Sequence, residues 1–126
     1  MRWPIVFAGI AGAAMVAIGA AASHGLAGGD ALAENWLRTA AQYGLWHCLA
    51  LLGVAGLAGK PQPGRLLSAA ALCFAAGIVL FSGSLILRAL TDIYWISRPA
   101  PLGGLAFIAG WLLLAAFGAT RGRSGR

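Results

Sequence analysis

Residues 66–90 read LLSAAALCFAAGIVLFSGSLILRAL, from Leu66 to Leu90, and the single charge among them, Arg88, stands near the end. A helix rises about 1.5 Å per residue, so this stretch is long enough to traverse a hydrocarbon core about 30 Å thick. In lipid, a segment without partner strands satisfies its backbone polar groups only as a helix. Three other runs share this character. Ile5 to Leu26 lies in a segment with no charge between Arg2 and Asp30, Thr39 to Gly59 forms a second run, and Leu102 to Ala119 forms the last. Between Gly59 and Leu66 the stretch Lys60-Pro61-Gln62-Pro63-Gly64-Arg65 breaks the chain with two prolines and two charges.

The whole composition agrees. The chain has 126 residues, 60% hydrophobic and 10% charged, with 19 glycines and a mean hydropathy of +0.83. A soluble domain is about 45–50% apolar and about 25% charged, so a water-soluble globule is excluded, and disorder with it. Four crossings consume roughly 80 residues and leave no room for a soluble catalytic domain. The expected fold is an all-α integral membrane protein: four transmembrane helices, about 5–26, 39–59, 66–90 and 102–119, in an antiparallel bundle, with a basic tail at 120–126. The first run imitates a secretory signal, with Arg2, an apolar stretch and Ala20-Ala21-Ala22. Its apolar part exceeds the usual 7–15 residues, so it is expected to stay as a helix.

Net charge is +6. On a soluble protein that balance would suggest nucleic acid; here the basic residues flank apolar runs, where membrane topology accounts for them. Six of the nine, Arg2, Lys60, Arg65, Arg121, Arg123 and Arg126, fall on the face shared by both termini and the middle loop, without an acid. The opposite face carries Arg38, Arg88 and Arg98 beside Asp30, Glu34 and Asp92. The bias predicts cytoplasmic termini.

On that opposite face, Gly28-Gly29-Asp30 reads as a glycine stop followed by an N-cap. Ala31 to Leu37 reads as a short interfacial helix anchored by Trp36, with Glu34 and Arg38 spaced for a weak surface pair. Thr91 to Pro101 carries Tyr94 and Trp95 for the headgroup belt, and prolines that extend the chain before the last helix. Helix association in lipid relies on small residues. Gly9, Ala13 and Ala17 share one face, as do Ala69, Cys73 and Gly77, and Ala106 and Gly110. Ser82 and Ser84 are candidates for interhelical hydrogen bonds. The glycines are read first as packing one bundle, and second as building a homo-oligomer. Cys48 and Cys73 read as small buried hydrophobes.

Polar groups at membrane depth are the candidates for function, and few exist. They are His24 in Ser23-His24-Gly25-Leu26, His47 with Tyr43 four residues before it, and Arg88 with Asp92 four residues after it. Both histidines are expected in the outer half of the bilayer, where they would approach each other. Structural hydrogen bonding is the leading reading. A proton or ion relay, and haem b or metal ligation by His24 and His47, are the alternatives. The first helix lacks the embedded carboxylate that small multidrug exporters use. Walker loops, Cys-x-x-Cys, His-Glu-x-x-His and nucleophile-elbow motifs are also missing. Gly103-Gly104 reads as a tight packing element.

Taken together, the run from Gly19 to Leu26 ending in His-Gly-Leu, Tyr43-x-x-x-His47, Phe81-Ser82-Gly83-Ser84-Leu85, and Pro101-Leu102-Gly103-Gly104 leading to Gly110-Trp111 resemble the YgdD-like family, a domain of unknown function. Ala21, Ala22 and Ser23, and Ala100, depart from the family's usual residues. The resemblance implies a bacterial inner-membrane protein with four transmembrane helices and no assigned activity. The functional expectation is a non-enzymatic structural, accessory or assembly subunit of a larger membrane complex. A small oligomeric transporter or channel, and a haem- or metal-binding redox protein, are the alternatives.

Overall fold

The computed structural model describes residues 1–59 and 63–122. Lys60, Pro61 and Gln62 of the expected chain break, and Arg123 and Arg126 of the basic tail, lie outside the described residues. The first helix, α1 (Trp3–Ser23), opens with Pro4 in its first turn. It stops at His24, earlier than the expected Leu26. The cause is Gly25, which takes φ +86° and lets the Leu26 N–H fold back 3.0 Å onto the Ala21 carbonyl. That is a Schellman stop. The glycines at 28 and 29 shape the connection rather than end the helix.

Asp30 then caps α2 (Ala31–Leu57). Its carboxylate accepts from the backbone N–H of Leu32 at 3.0 Å and of Ala33 at 3.1 Å, meeting two of the four donors a helix start leaves open. Glu34 accepts from Arg38 Nε at 2.9 Å and Nη2 at 2.8 Å, as the spacing predicts. Residues 31–37 are not a separate interfacial helix: no glycine or proline interrupts the sequence before Gly44, so they form the first two turns of α2.

The third span, α3 (Arg65–Leu90), is not uniform. Arg65–Gly77 is α-helical, Ile78–Gly83 is a π-helical turn, and Ser84–Leu90 resumes the α-helix. In the wide turn the Ser82 hydroxyl donates to the Ala40 carbonyl of α2 at 2.7 Å. Ser84, expected to bridge helices, instead bonds the Leu80 carbonyl of its own helix. A 3-10 turn, Tyr94–Ser97, leads into α4 (Ala100–Arg121). This helix starts before the expected Leu102, because Pro101 fits its first turn.

All four spans are long and apolar enough to cross a membrane, so the chain is a multi-pass membrane protein. The helices α2 and α3 form the middle, α1 lies on α2, and α4 lies on α3. In their most apolar stretches, α2 and α3 bury 39% of the residues, against 17% for α1 and α4. The centre is filled by Leu37, Leu51, Val54, Leu67 and Phe74, with Ser82 fully enclosed among them.

Candidate functional site

Close approach of α3 and α4 sets up a place where polar and aromatic groups converge along the middle of the spans. A Cβ on Gly103 would collide with the backbone N and Cα of Phe81, and one on Gly77 with the ring of Phe107. A Cβ on Gly110 would stand 2.6 Å from the Phe74 ring. The reading of Gly103 as a packing element therefore holds. The three glycines let Phe74, Phe81 and Phe107 interleave, and α2 presents His47 to the resulting layer.

His47 is 5% exposed. Its ring stacks on Phe107, with centroids 3.5 Å apart and planes 8° from parallel. Its Nε2 receives the indole N–H of Trp111 at 3.2 Å, and its Nδ1 lies 2.6 Å from the Tyr43 carbonyl. An indole N–H only donates and a carbonyl only accepts. Both bonds exist together only in the neutral ring with its proton on Nδ1. So His47 ties α2 to α4 through side chains, as Ser82 ties α3 to the backbone of α2. His47, Trp111 and Ser82 thus all bond between helices.

Around this strut, Tyr43, Trp46, Phe81, Phe107 and Trp111 wall a cleft of about 600 Å³ that Pro101, Gly104, Leu105 and Ile108 complete. Tyr43 packs against Trp46 at 5.2 Å and Phe81 at 5.1 Å.

The other candidates lie apart. His24 is the exposed C-cap of α1. His47 sits about 24 Å along the axis from the start of α2 at the usual helical rise, at the depth where Leu45 meets Gly12, halfway down α1. The expected approach of the two histidines is therefore wrong, and the pair does not form a haem or metal ligand set. Among the described residues no group of three or more His, Cys, Asp or Glu stands ready to hold a metal ion. Cys48 and Cys73 are free thiols.

Arg88 does reach the rim, but Asp92 is not its partner. The guanidinium lies 4.6 Å from the Trp36 ring centroid and 4.4 Å from that of Tyr94, and Nη1 donates to the Thr91 carbonyl at 3.2 Å. Two aromatic faces and a carbonyl hold the charge at the interface. Asp92 is exposed, and the ion pair among the described residues is Glu34–Arg38. Phe81, Phe107 and Trp111 belong to the motifs of the resemblance but carry no functional expectation from sequence, and Phe74 carries none either. The available signal was the spacing of Gly103, Phe107, Gly110 and Trp111, which repeats at three and four residues and so marks one helix face.

The family described as "Protein of unknown function (DUF423)" matches residues 18–104. The chain belongs to this family. The match runs from Ile18 near the end of α1 through α2 and α3 to Gly104, so Phe107 and Trp111 fall beyond it. Among similar proteins, the UPF0382 membrane protein YwdK of Bacillus subtilis is 40% identical over 117 residues, covering 90% of this chain and 94% of its own length. The UPF0382 inner membrane protein YgdD of Escherichia coli K12 is 36% identical over 114 residues, covering 90% and 86%. A UPF0382 membrane protein of Haemophilus influenzae is 38% identical over 113 residues, covering 86% of each chain. No solved structure matches. Kinship with an inner-membrane protein and four membrane-spanning helices place this DUF423 member as a multi-pass protein of the bacterial inner membrane.

Proposed function

We propose that this DUF423 protein is a non-enzymatic accessory or assembly subunit of a larger membrane complex, with both termini cytoplasmic. One observation carries the reading: the membrane-depth polar side chains His47, Trp111 and Ser82 are spent on bonds between helices. Groups that move protons or ions need a free valence or a wet path. Here the centre is filled by Leu51, Val54, Leu67 and Phe74, which opposes a conduit through a single chain. The orientation rests on the six-to-three bias of basic residues.

The experiment is extraction of the tagged protein from its native membrane into polymer-bounded discs, followed by native mass measurement and a visible spectrum. The expected result is other membrane subunits in fixed ratio, without visible absorbance. A closed homo-oligomer alone would favour transport, and absorbance lost in His47→Ala would favour a cofactor protein. Either outcome overturns the proposal.

A further inference from the structure

The cleft beside His47 carries two polar aromatic groups, Trp46 and the Tyr43 hydroxyl, that packing and anchoring do not explain. Tryptophan and tyrosine normally gather at the headgroup level, and Trp36, Tyr94 and Trp95 meet that need here. Trp111 lies about 16 Å along α4 from its start, and Trp46 about 22 Å along α2, at the usual rise per residue. Both are about half exposed to the side, where lipid chains offer them nothing that leucine would not. Tyr43, at the same cleft, is 39% exposed, and its hydroxyl makes no hydrogen bond with any described residue. The indole N–H of Trp111 is already committed to His47. The cleft therefore presents aromatic faces and two donors without a partner among the described residues, the Tyr43 hydroxyl and the Trp46 indole N–H, and it opens toward the bilayer.

An occupant must come from the membrane, present a flat π-surface, and carry an acceptor for a phenol. A lipid chain meets only the first requirement. A helix from a second copy can offer a backbone carbonyl, as Ala40 does to Ser82, but it brings a curved surface of side chains rather than a flat ring. A quinone meets all three: its ring is planar, its carbonyls accept without donating, and its hydrocarbon tail extends into the bilayer. Offset and edge-on ring contacts favour such a guest in a slot lined by Phe81, Phe107 and Trp111. About 600 Å³ falls within the roughly 300–1,000 Å³ typical of small-molecule pockets. We propose that the α2–α4 cleft binds the ring of a membrane-dissolved quinone, with the Tyr43 hydroxyl donating to a ring carbonyl. This stands on the cleft alone, so its failure leaves the accessory reading untouched.

The test uses the full chain in lipid nanodiscs, with a short-tailed benzoquinone as probe and tryptophan fluorescence as readout, since Trp46 and Trp111 wall the cleft. The expected result is saturable quenching above the linear background from quinone dissolved in lipid. Gly104→Leu abolishes the saturable part, because a Cβ there stands 4.0 Å from Phe81 Cδ2, leaving a longer side chain room to grow into the cleft. Tyr43→Phe weakens binding about fivefold, the worth of one hydrogen bond. An alkane of the same tail length does not displace the probe. Purely linear quenching, displacement by the alkane, or unchanged binding in Tyr43→Phe would each overturn the proposal. The last two hold even if the leucine variant fails to fold.

Discussion

The α3–α4 contact and the α1–α2 contact draw on the same stock of glycine and alanine, yet they finish differently. In the first, every key glycine faces a ring or a backbone: Gly77 meets Phe107, Gly110 meets Phe74, and Gly103 meets the main chain at Phe81. In the second, a Cβ on Gly44 would stand 2.5 Å from the flexible Met15 side chain, but Gly12 only grazes Leu45 at 4.0 Å and Gly9 faces nothing within 4 Å. The Gly9, Ala13 and Ala17 face, expected to pack the bundle, is exposed and borders a shallow groove with Leu45, Leu49 and Leu52. Association in lipid depends on contact itself, because burying apolar surface brings no gain there. Small residues hold helices only where something large stands opposite. On that ground α1 is held to α2 chiefly where Met15 fits over Gly44, while α3 and α4 meet tightly at three glycines.

The sharpest way to break this contrast is Gly103→Ala. Its methyl group would overlap backbone atoms of Phe81, which cannot swing aside as a side chain can, so α4 must shift. The expected loss is about 3 kcal/mol, read by reversible unfolding in mixed micelles. A loss near zero would show that the two helices do not approach as described. His47→Ala comes next. It removes the Phe107 stack and both hydrogen bonds, and is expected to cost about 2 kcal/mol in the same assay. Ser82→Ala loses one buried bond to the Ala40 carbonyl, with an expected cost of about 1 kcal/mol. Gly9→Ala should change stability by less than about 0.5 kcal/mol. If it rivals Gly103→Ala, the comparison fails.

Parts of this were legible in the sequence for definite reasons. Charge poverty over long runs admits only spanning helices, so the four crossings followed from Arg2, Asp30, Lys60, Arg65 and Arg88 as boundary marks. Asp30 before Ala31 could be read as a cap because its partners lie two and three residues on, and Glu34–Arg38 because the pair is local. What escaped was non-local. The indole that completes His47 is 64 residues away, and periodicity says nothing about which faces meet. The π turn at Ile78–Gly83 carries no proline to announce it; it follows from the Ser82 bond and the approach of Gly103, both tertiary. The two histidines stay apart because α2 begins at Ala31 rather than at Thr39, which sets His47 about 24 Å from the helix start. Gly25 ends α1 early and leaves the His24 side chain at the rim.

The central claim is that His47 is a neutral strut joining α2 to α4. Nitrogen NMR of the histidine-labelled protein in bilayers reads it directly. The account predicts a neutral ring with hydrogen on Nδ1 and a bare Nε2, whose signal shifts when Trp111→Phe removes the indole donor. A proton on Nε2, a charged ring, or no response to Trp111→Phe would contradict it.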